Sequence, residues 1–258
     1  MKILRSLVLA FAMYSRIPMP RTKWEDDNMA LAFCFFPLVG VVIGAALWLW
    51  LWLCCALGIG ALLRAAGAVL IPAALTGGIH MDGFCDTLDA LSSHQDREKK
   101  LEILKDSHAG AFAIFWCALY LICFTALWSD AELTGGSMLV LAAIPVLSRS
   151  LSGTAAVSFK NARGSGMLAT FSGAANTGVV RLVCIAWGVL AALVAILSSP
   201  VLGLAVTLAA ALSFVYYRIK SFREFGGITG DLEGWFLQIC EIACVFAVVA
   251  VQKIGGIL

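Results

Sequence analysis

Long apolar stretches separated by short polar ones dominate this chain. Seven of them, near 31–55, 61–80, 109–128, 136–157, 179–198, 200–217 and 235–252, are each long enough to cross a hydrocarbon core as a helix. The pattern predicts an all-α, polytopic transmembrane helical bundle of about seven spans. No linker or composition break interrupts it, so residues 1–258 are expected to form a single integral-membrane domain. The second stretch contains Pro72 and runs into Gly77-Gly78, which predicts a short span ending in irregular backbone. Ahead of the first span, MKILRSLVLAFAMYS places Lys2 and Arg5 before a brief apolar run, with no clean A-x-A cleavage site preceding Arg16. An interfacial helix with its basic residues towards anionic headgroups is expected there, rather than a cleaved signal.

Composition agrees: 61% of the residues are hydrophobic and 13% charged, against roughly 25% charged in soluble domains. The net charge of +2 gives no case for a nucleic-acid partner. The positive residues collect in three connections, at 92–107 (Arg97, Lys99, Lys100, Lys105), 158–181 (Lys160, Arg163, Arg181) and 218–234 (Arg218, Lys220, Arg223). The opposite connections carry almost none beyond Arg64. The positive-inside rule then puts the rich loops and the N-terminus in the cytoplasm and the C-terminus outside. Nine cysteines, most of them inside apolar runs and none in a CxxC pair, are expected to be core residues.

Against this background GGIHMDGFCDTLDALSS (77–93) stands out. Asp82, Asp86 and Asp89, at i, i+4 and i+7, fall within roughly a 60° arc of a helix. Like charges so placed repel, and carboxylates at a membrane are costly. A hard divalent cation offsets both, and Mg²⁺ typically takes one or two carboxylates with substrate phosphates. The competing reading is a solvated helix face just beyond the membrane. The apolar flanks Phe84, Leu88 and Leu91 and the permissive Gly77, Gly78 and Gly83 favour the metal.

Further polar segments lie on the same side. In LEILKDSHAGAF, Lys105 could meet a phosphate and Ser107 could cap the helix that follows, or the segment could be an ordinary cap with flanking charges. In RIKSFREFGGITGDLEGW, four glycines surround Asp231 downstream of Arg218, Lys220 and Arg223. That arrangement suits a phosphorylated ligand and a metal, or alternatively a flexible positive-inside loop. GGITGD also loosely repeats GGIHMD. Glu241, inside the last apolar run, needs a partner, and Arg149 in PVLSRSLSG is the obvious cation.

Taken together, SRIPMP (15–20), GGIHMDGFCDTLDAL (77–91), LEILKDSHAG (101–110), ARGSGM (162–167) and GGITGD (226–231) resemble the cobalamin synthase family, the adenosylcobinamide-GDP ribazoletransferases. The resemblance spans essentially the whole chain. It implies a Mg²⁺-dependent enzyme of the inner membrane with its active site on the cytoplasmic face. α-Ribazole or its 5′-phosphate would attack adenosylcobinamide-GDP, releasing GMP and giving adenosylcobalamin or its 5′-phosphate. On this resemblance Asp82, Asp86 and Asp231 are expected to bind the metal. Asp89 would complete that site or accept the nucleophile's proton, with Lys105 the second catalytic residue. Arg16, Asp106, Ser107, Arg218, Lys220, Gly227 and Thr229 are expected to contact substrate. The chain departs from the family pattern at His108, usually arginine, at LEGW following Asp231, usually TLGA, and at Gln238, where a glutamate is usual. Membrane lipids are expected partners, and homo-oligomerisation stays open.

Two other classes share parts of this pattern. A CDP-alcohol phosphotransferase of lipid synthesis opens its motif D-G-x-x-A-R, whereas Asp82-Gly83 is followed here by Phe84-Cys85-Asp86-Thr87. A cation-coupled transporter would bury its acids near the membrane midplane, with openings towards both sides.

Overall fold

The computed structural model describes residues 2–22, 25–106 and 108–255, the side chain of Asp26 excepted. Among them are twelve α-helices and no strand. They are α1 (Lys2–Tyr14), α2 (Asp26–Met29), α3 (Phe36–Leu57), α4 (Ala61–Thr76), α5 (Ile79–Ser92), α6 (Arg97–Ile103), α7 (Ala111–Asp130), α8 (Gly135–Ala156), α9 (Met167–Ala174), α10 (Thr177–Ser198), α11 (Pro200–Phe225) and α12 (Gly230–Gly255).

Six helical stretches are long and apolar enough to cross a membrane: Asp27–Leu57, Ala111–Asp130, Gly135–Ala156, Thr177–Ser198, Pro200–Phe225 and Gly230–Gly255. At the seventh expected span stands a sharply bent helix pair, α4 with α5, in place of a continuous helix. α4 ends at Gly77 (φ 67°) and Gly78 (φ 78°), two successive left-handed residues that only glycine adopts without strain. The chain turns there by 96° into α5. The protein is thus a multi-pass helical membrane bundle. Its outer surface, carrying exposed Leu182, Leu193 and Leu197 on α10 and Leu204, Leu208 and Leu212 on α11, suits lipid contact.

Two boundaries differ from the sequence-based expectation. α11 continues to Phe225, so Arg218, Lys220 and Arg223 ride on its last turns rather than in a loop. The buried faces of Tyr217, Ser221 and Phe225 carry the helix past the apolar stretch until Gly226 (φ 77°) stops it. α12 likewise starts at Gly230, so Asp231 lies in a helical first turn. The connections 92–107 and 158–181 also contain the short helices α6 and α9.

α8 is the hub and packs against α3, α10, α11 and α12. Its Arg149 carries a charge into this core and meets Glu241 of α12, Nη1 to Oε1 at 2.7 Å, with both side chains buried. Ser148 also donates to that carboxylate, at 3.0 Å. The expected intramembrane pair is therefore formed. Each charge is the other's principal relief from desolvation.

Candidate active site

The site is built where α5 crosses α12. A Cβ on Gly83 would stand 2.7 Å from the Asp231 carbonyl oxygen, and one on Gly234 would stand 2.9 Å from that of His80. Only glycine permits main chains this close. The crossing brings the two acid motifs together. Asp82 and Asp231 border one cavity, while Asp82 and Asp86 border an adjoining open cleft with Gly77, Gly78 and Ala109. Both motifs follow a helix that ends on a positive-φ glycine, and Asp82 and Asp231 each lie in the first turn of the next helix. Converging N-terminal dipoles favour carboxylates and phosphates there.

Neither Asp82 nor Asp86 has a hydrogen-bond or salt-bridge partner among the described residues. Asp231 does: Arg163 Nη1 lies 3.3 Å from its Oδ2, and the Thr229 hydroxyl donates to the same oxygen at 3.4 Å. Arg163 arrives through a backbone pairing between distant loops. The Ala162 amide donates to the Ile228 carbonyl at 2.8 Å, and the Ile228 amide donates to that of Lys160 at 2.9 Å. Asn161 Oδ1 accepts the Arg163 and Gly164 amides and folds the arginine back towards the acid. Gly227 makes this pairing feasible, since a Cβ there would collide with the Lys160 carbonyl. Arg163 was not among the residues singled out from the sequence. Its one signal was the ARGSGM motif itself.

The remaining expected residues divide. Arg16 donates its amide to the Leu75 carbonyl at 2.7 Å and lays its side chain across Gly77, at the edge of the cleft. Asp89 Oδ1 accepts the Ala113 amide at 3.4 Å, so this acid sits at the N-terminus of α7. Lys105 is exposed and makes no ion pair among the described residues. Asp106 accepts from the amide and the ring of His108, at 3.0 and 2.7 Å, and these bonds hold its carboxyl below the usual range. Ser107 lies outside the described residues. Arg218 is exposed, 5.7 Å from the ring centres of both Phe159 and Phe222. Lys220 pairs with Glu224 Oε1 at 3.0 Å, while Lys100 takes Oε2 at 2.6 Å. It borders a separate groove with Leu88, Phe112 and Trp116.

Three side chains that no sequence argument raised line the cavity beside Asp82 and Asp231. Glu233, Ser152 and His80 are all buried there. The Ser152 hydroxyl donates to Glu233 Oε2, while Glu233 Oε1 and His80 Nε2 have no hydrogen-bond partner. The Tyr217 hydroxyl stands beside the Glu233 carboxyl and interacts with it, short of full hydrogen-bond geometry. Burial, and then the neighbouring Glu233 carboxyl, hold the Tyr14 hydroxyl well above its ordinary range.

For a metal, the chemistry of the donors decides. Among the described residues no group of three or more acidic, cysteine or histidine side chains is arranged to hold a metal ion by itself. Two unpartnered carboxylates facing an open cleft, with a third alongside, fit a hard cation that keeps water and takes its remaining ligands from phosphate.

A family model described as cobalamin-5-phosphate synthase matches residues 6–249. The adenosylcobinamide-GDP ribazoletransferase of Lachnoclostridium phytofermentans is 43% identical over 254 residues, covering 98% of this chain and 97% of its own. Those of Syntrophobacter fumaroxidans (34%; 93% and 95% covered) and Clostridium botulinum (30%; 95% and 97%) are similar over nearly the same extent. No solved structure matches. With the match running from the first helix into the last, the chain belongs to the cobalamin-5-phosphate synthase family of enzymes.

Proposed function

We propose that this enzyme joins α-ribazole, or its 5′-phosphate, to adenosylcobinamide-GDP with release of GMP, in a Mg²⁺-dependent reaction at the cytoplasmic face of the inner membrane. The observation that carries this reading is the pair of unpartnered carboxylates, Asp82 and Asp86, held beside Asp231 by the α5–α12 crossing. The relatives' names supply the substrates.

In the reaction a ribose hydroxyl attacks the phosphorus that carries the corrinoid. A new P–O bond forms, the P–O bond to GMP breaks, and the hydroxyl proton passes to a carboxylate. The task is to align two oxygens and absorb negative charge. Mg²⁺ held by Asp82, Asp86 and Asp231 would supply charge neutralisation at the pyrophosphate. Arg16, at the rim, would take phosphate oxygens, while Arg163, held between the Asp231 carboxylate and the Leu101 carbonyl, would add positive charge beside them. Lys105, unpaired on an exposed segment, adds a point charge. Lys220 and Arg218 are engaged by Glu224 and by two aromatic rings, so less of this load falls on them. Asp89, with one oxygen at the start of α7, is the nearby acid on the same helix and takes the proton. Helix α1, with Ile3 and Leu4 exposed, lies along the lipid interface.

Proteoliposomes of the purified protein, given labelled cobinamide-GDP and α-ribazole with and without Mg²⁺, test this. Joined corrinoid and GMP in equal amounts, only with the metal, are expected. Mg²⁺-independent turnover, or none with these substrates, contradicts it.

A further inference from the structure

The cavity beside Asp82 and Asp231 has a volume of about 200 Å³. Tyr14, Phe33, Phe36 and Leu237 give it largely apolar and aromatic walls, closed on one side by Met167 and Leu168 of α9. Its buried polar side chains are Glu233, Ser152 and His80, at 7%, 2% and 6% exposure, and Asp82 and Asp231 line its acid end. Glu233 spends one oxygen on Ser152 and has the Tyr217 hydroxyl beside it, and among the described residues neither its Oε1 nor His80 Nε2 meets a partner at hydrogen-bond geometry. An unsatisfied buried polar atom is costly, and such atoms in a cavity at a reaction centre mark where a ligand completes the bonding.

We infer that this cavity is the subsite for the aromatic nitrogenous base of the nucleophilic nucleoside, with a hydrogen bond between the Glu233 carboxyl and a ring nitrogen. The inference rests on the transferase reading above. One proton between carboxyl and ring satisfies both groups, whichever of them carries it. The aromatic walls suit a flat bicyclic base, and a corrin macrocycle is far too large for the space. Guanine is the other flat base in the reaction. It presents donors and acceptors around most of its edge, and walls of Phe, Met and Leu would leave several of them unpaired. An apolar benzimidazole has one free ring nitrogen to satisfy. A base seated here lies beside Asp82 and Asp231, which puts its sugar next to the acids where the attack takes place.

Equilibrium dialysis with labelled α-ribazole, and with an indole analogue lacking the free ring nitrogen, tests the assignment in detergent-solubilised protein. The unaltered protein is expected to hold α-ribazole about tenfold or more tighter than the analogue. Glu233→Leu should abolish that preference while leaving KM for cobinamide-GDP unchanged. Glu233→Gln should retain part of it, and its retained binding shows that the protein is folded. Met167→Trp, which narrows the cavity, should weaken both nucleosides. A preference that survives in Glu233→Leu overturns the inference, and so does a loss of GMP affinity in place of nucleoside affinity. If the unaltered protein joins no nucleoside to the corrinoid, the transferase reading itself has failed. If it does so and the Glu233 variants bind like it, only the subsite is wrong.

Discussion

Gly83 of α5 lies directly against the main chain of Asp231 in α12, so closely that a Cβ would stand 2.8 Å from the Asp231 Cα. This contact sets the spacing between the two halves of the acid site. Gly83→Ala is expected to force the helices apart, costing roughly 1–3 kcal/mol by overpacking and lowering turnover more than tenfold (~1.4 kcal/mol or more in the barrier). Gly173→Ala in α9, where an added Cβ meets nothing within 4 Å, should leave both unchanged. Thermal unfolding in detergent and GMP release measure the two effects.

The proposed proton-accepting role of Asp89 and its contact with α7 can be separated by substitution. Its carboxylate sits at the N-terminus of α7 and accepts the Ala113 amide. Asp89→Asn keeps an acceptor there, so stability should hold while kcat falls by about 10²–10⁴, as for a lost proton acceptor. Asp89→Ala should add a loss of roughly 0.5–2 kcal/mol from the cap. Equal kcat in Asp89→Asn and the unaltered enzyme would leave Asp89 a capping residue only.

The Arg149–Glu241 pair is buried in the helical core. Removing one partner, as in Arg149→Met or Glu241→Gln, strands a charge or its acceptor and should destabilise by about 3–5 kcal/mol. The double variant Arg149→Met/Glu241→Leu should recover most of that loss. Denaturant titration of the four proteins gives the coupling. An additive double variant would show that the two residues act independently.

The spans were readable because a hydrocarbon core demands continuous apolar length, and the break at Gly77-Gly78 because two glycines follow a proline-containing helix. The pairing of Arg149 with Glu241 was readable for a related reason, since neither charge can stand alone in the bundle. Helix ends were not. Arg218 and Lys220 continue α11 because aromatic packing, not membrane thickness, decides where that helix stops. The grouping of Asp82, Asp86 and Asp231 followed from the family resemblance, since the glycine-acid pattern alone left Asp231 in a ligand site or a flexible loop. The Arg163 contact was not, because it depends on a backbone pairing between Asn161 and Ile228 that leaves no local signal. Glu233 escaped notice because its burial beside a cavity is a property of packing, and in LEGW it reads as one more interfacial charge.

The central claim is that Asp82 and Asp86 carry the metal-dependent chemistry, and GMP release as a function of Mg²⁺ in Asp82→Asn and Asp86→Asn tests it most directly. Both carboxylates lack partners among the described residues, so neutralising either should preserve folding, and relief of the i,i+4 repulsion should add about 0.2–0.5 kcal/mol. The account predicts correctly inserted proteins with turnover reduced at least about 100-fold (~2.7 kcal/mol) and a Mg²⁺ requirement shifted to higher concentration. Folded variants that release GMP at the normal rate, with the normal Mg²⁺ dependence, would contradict it.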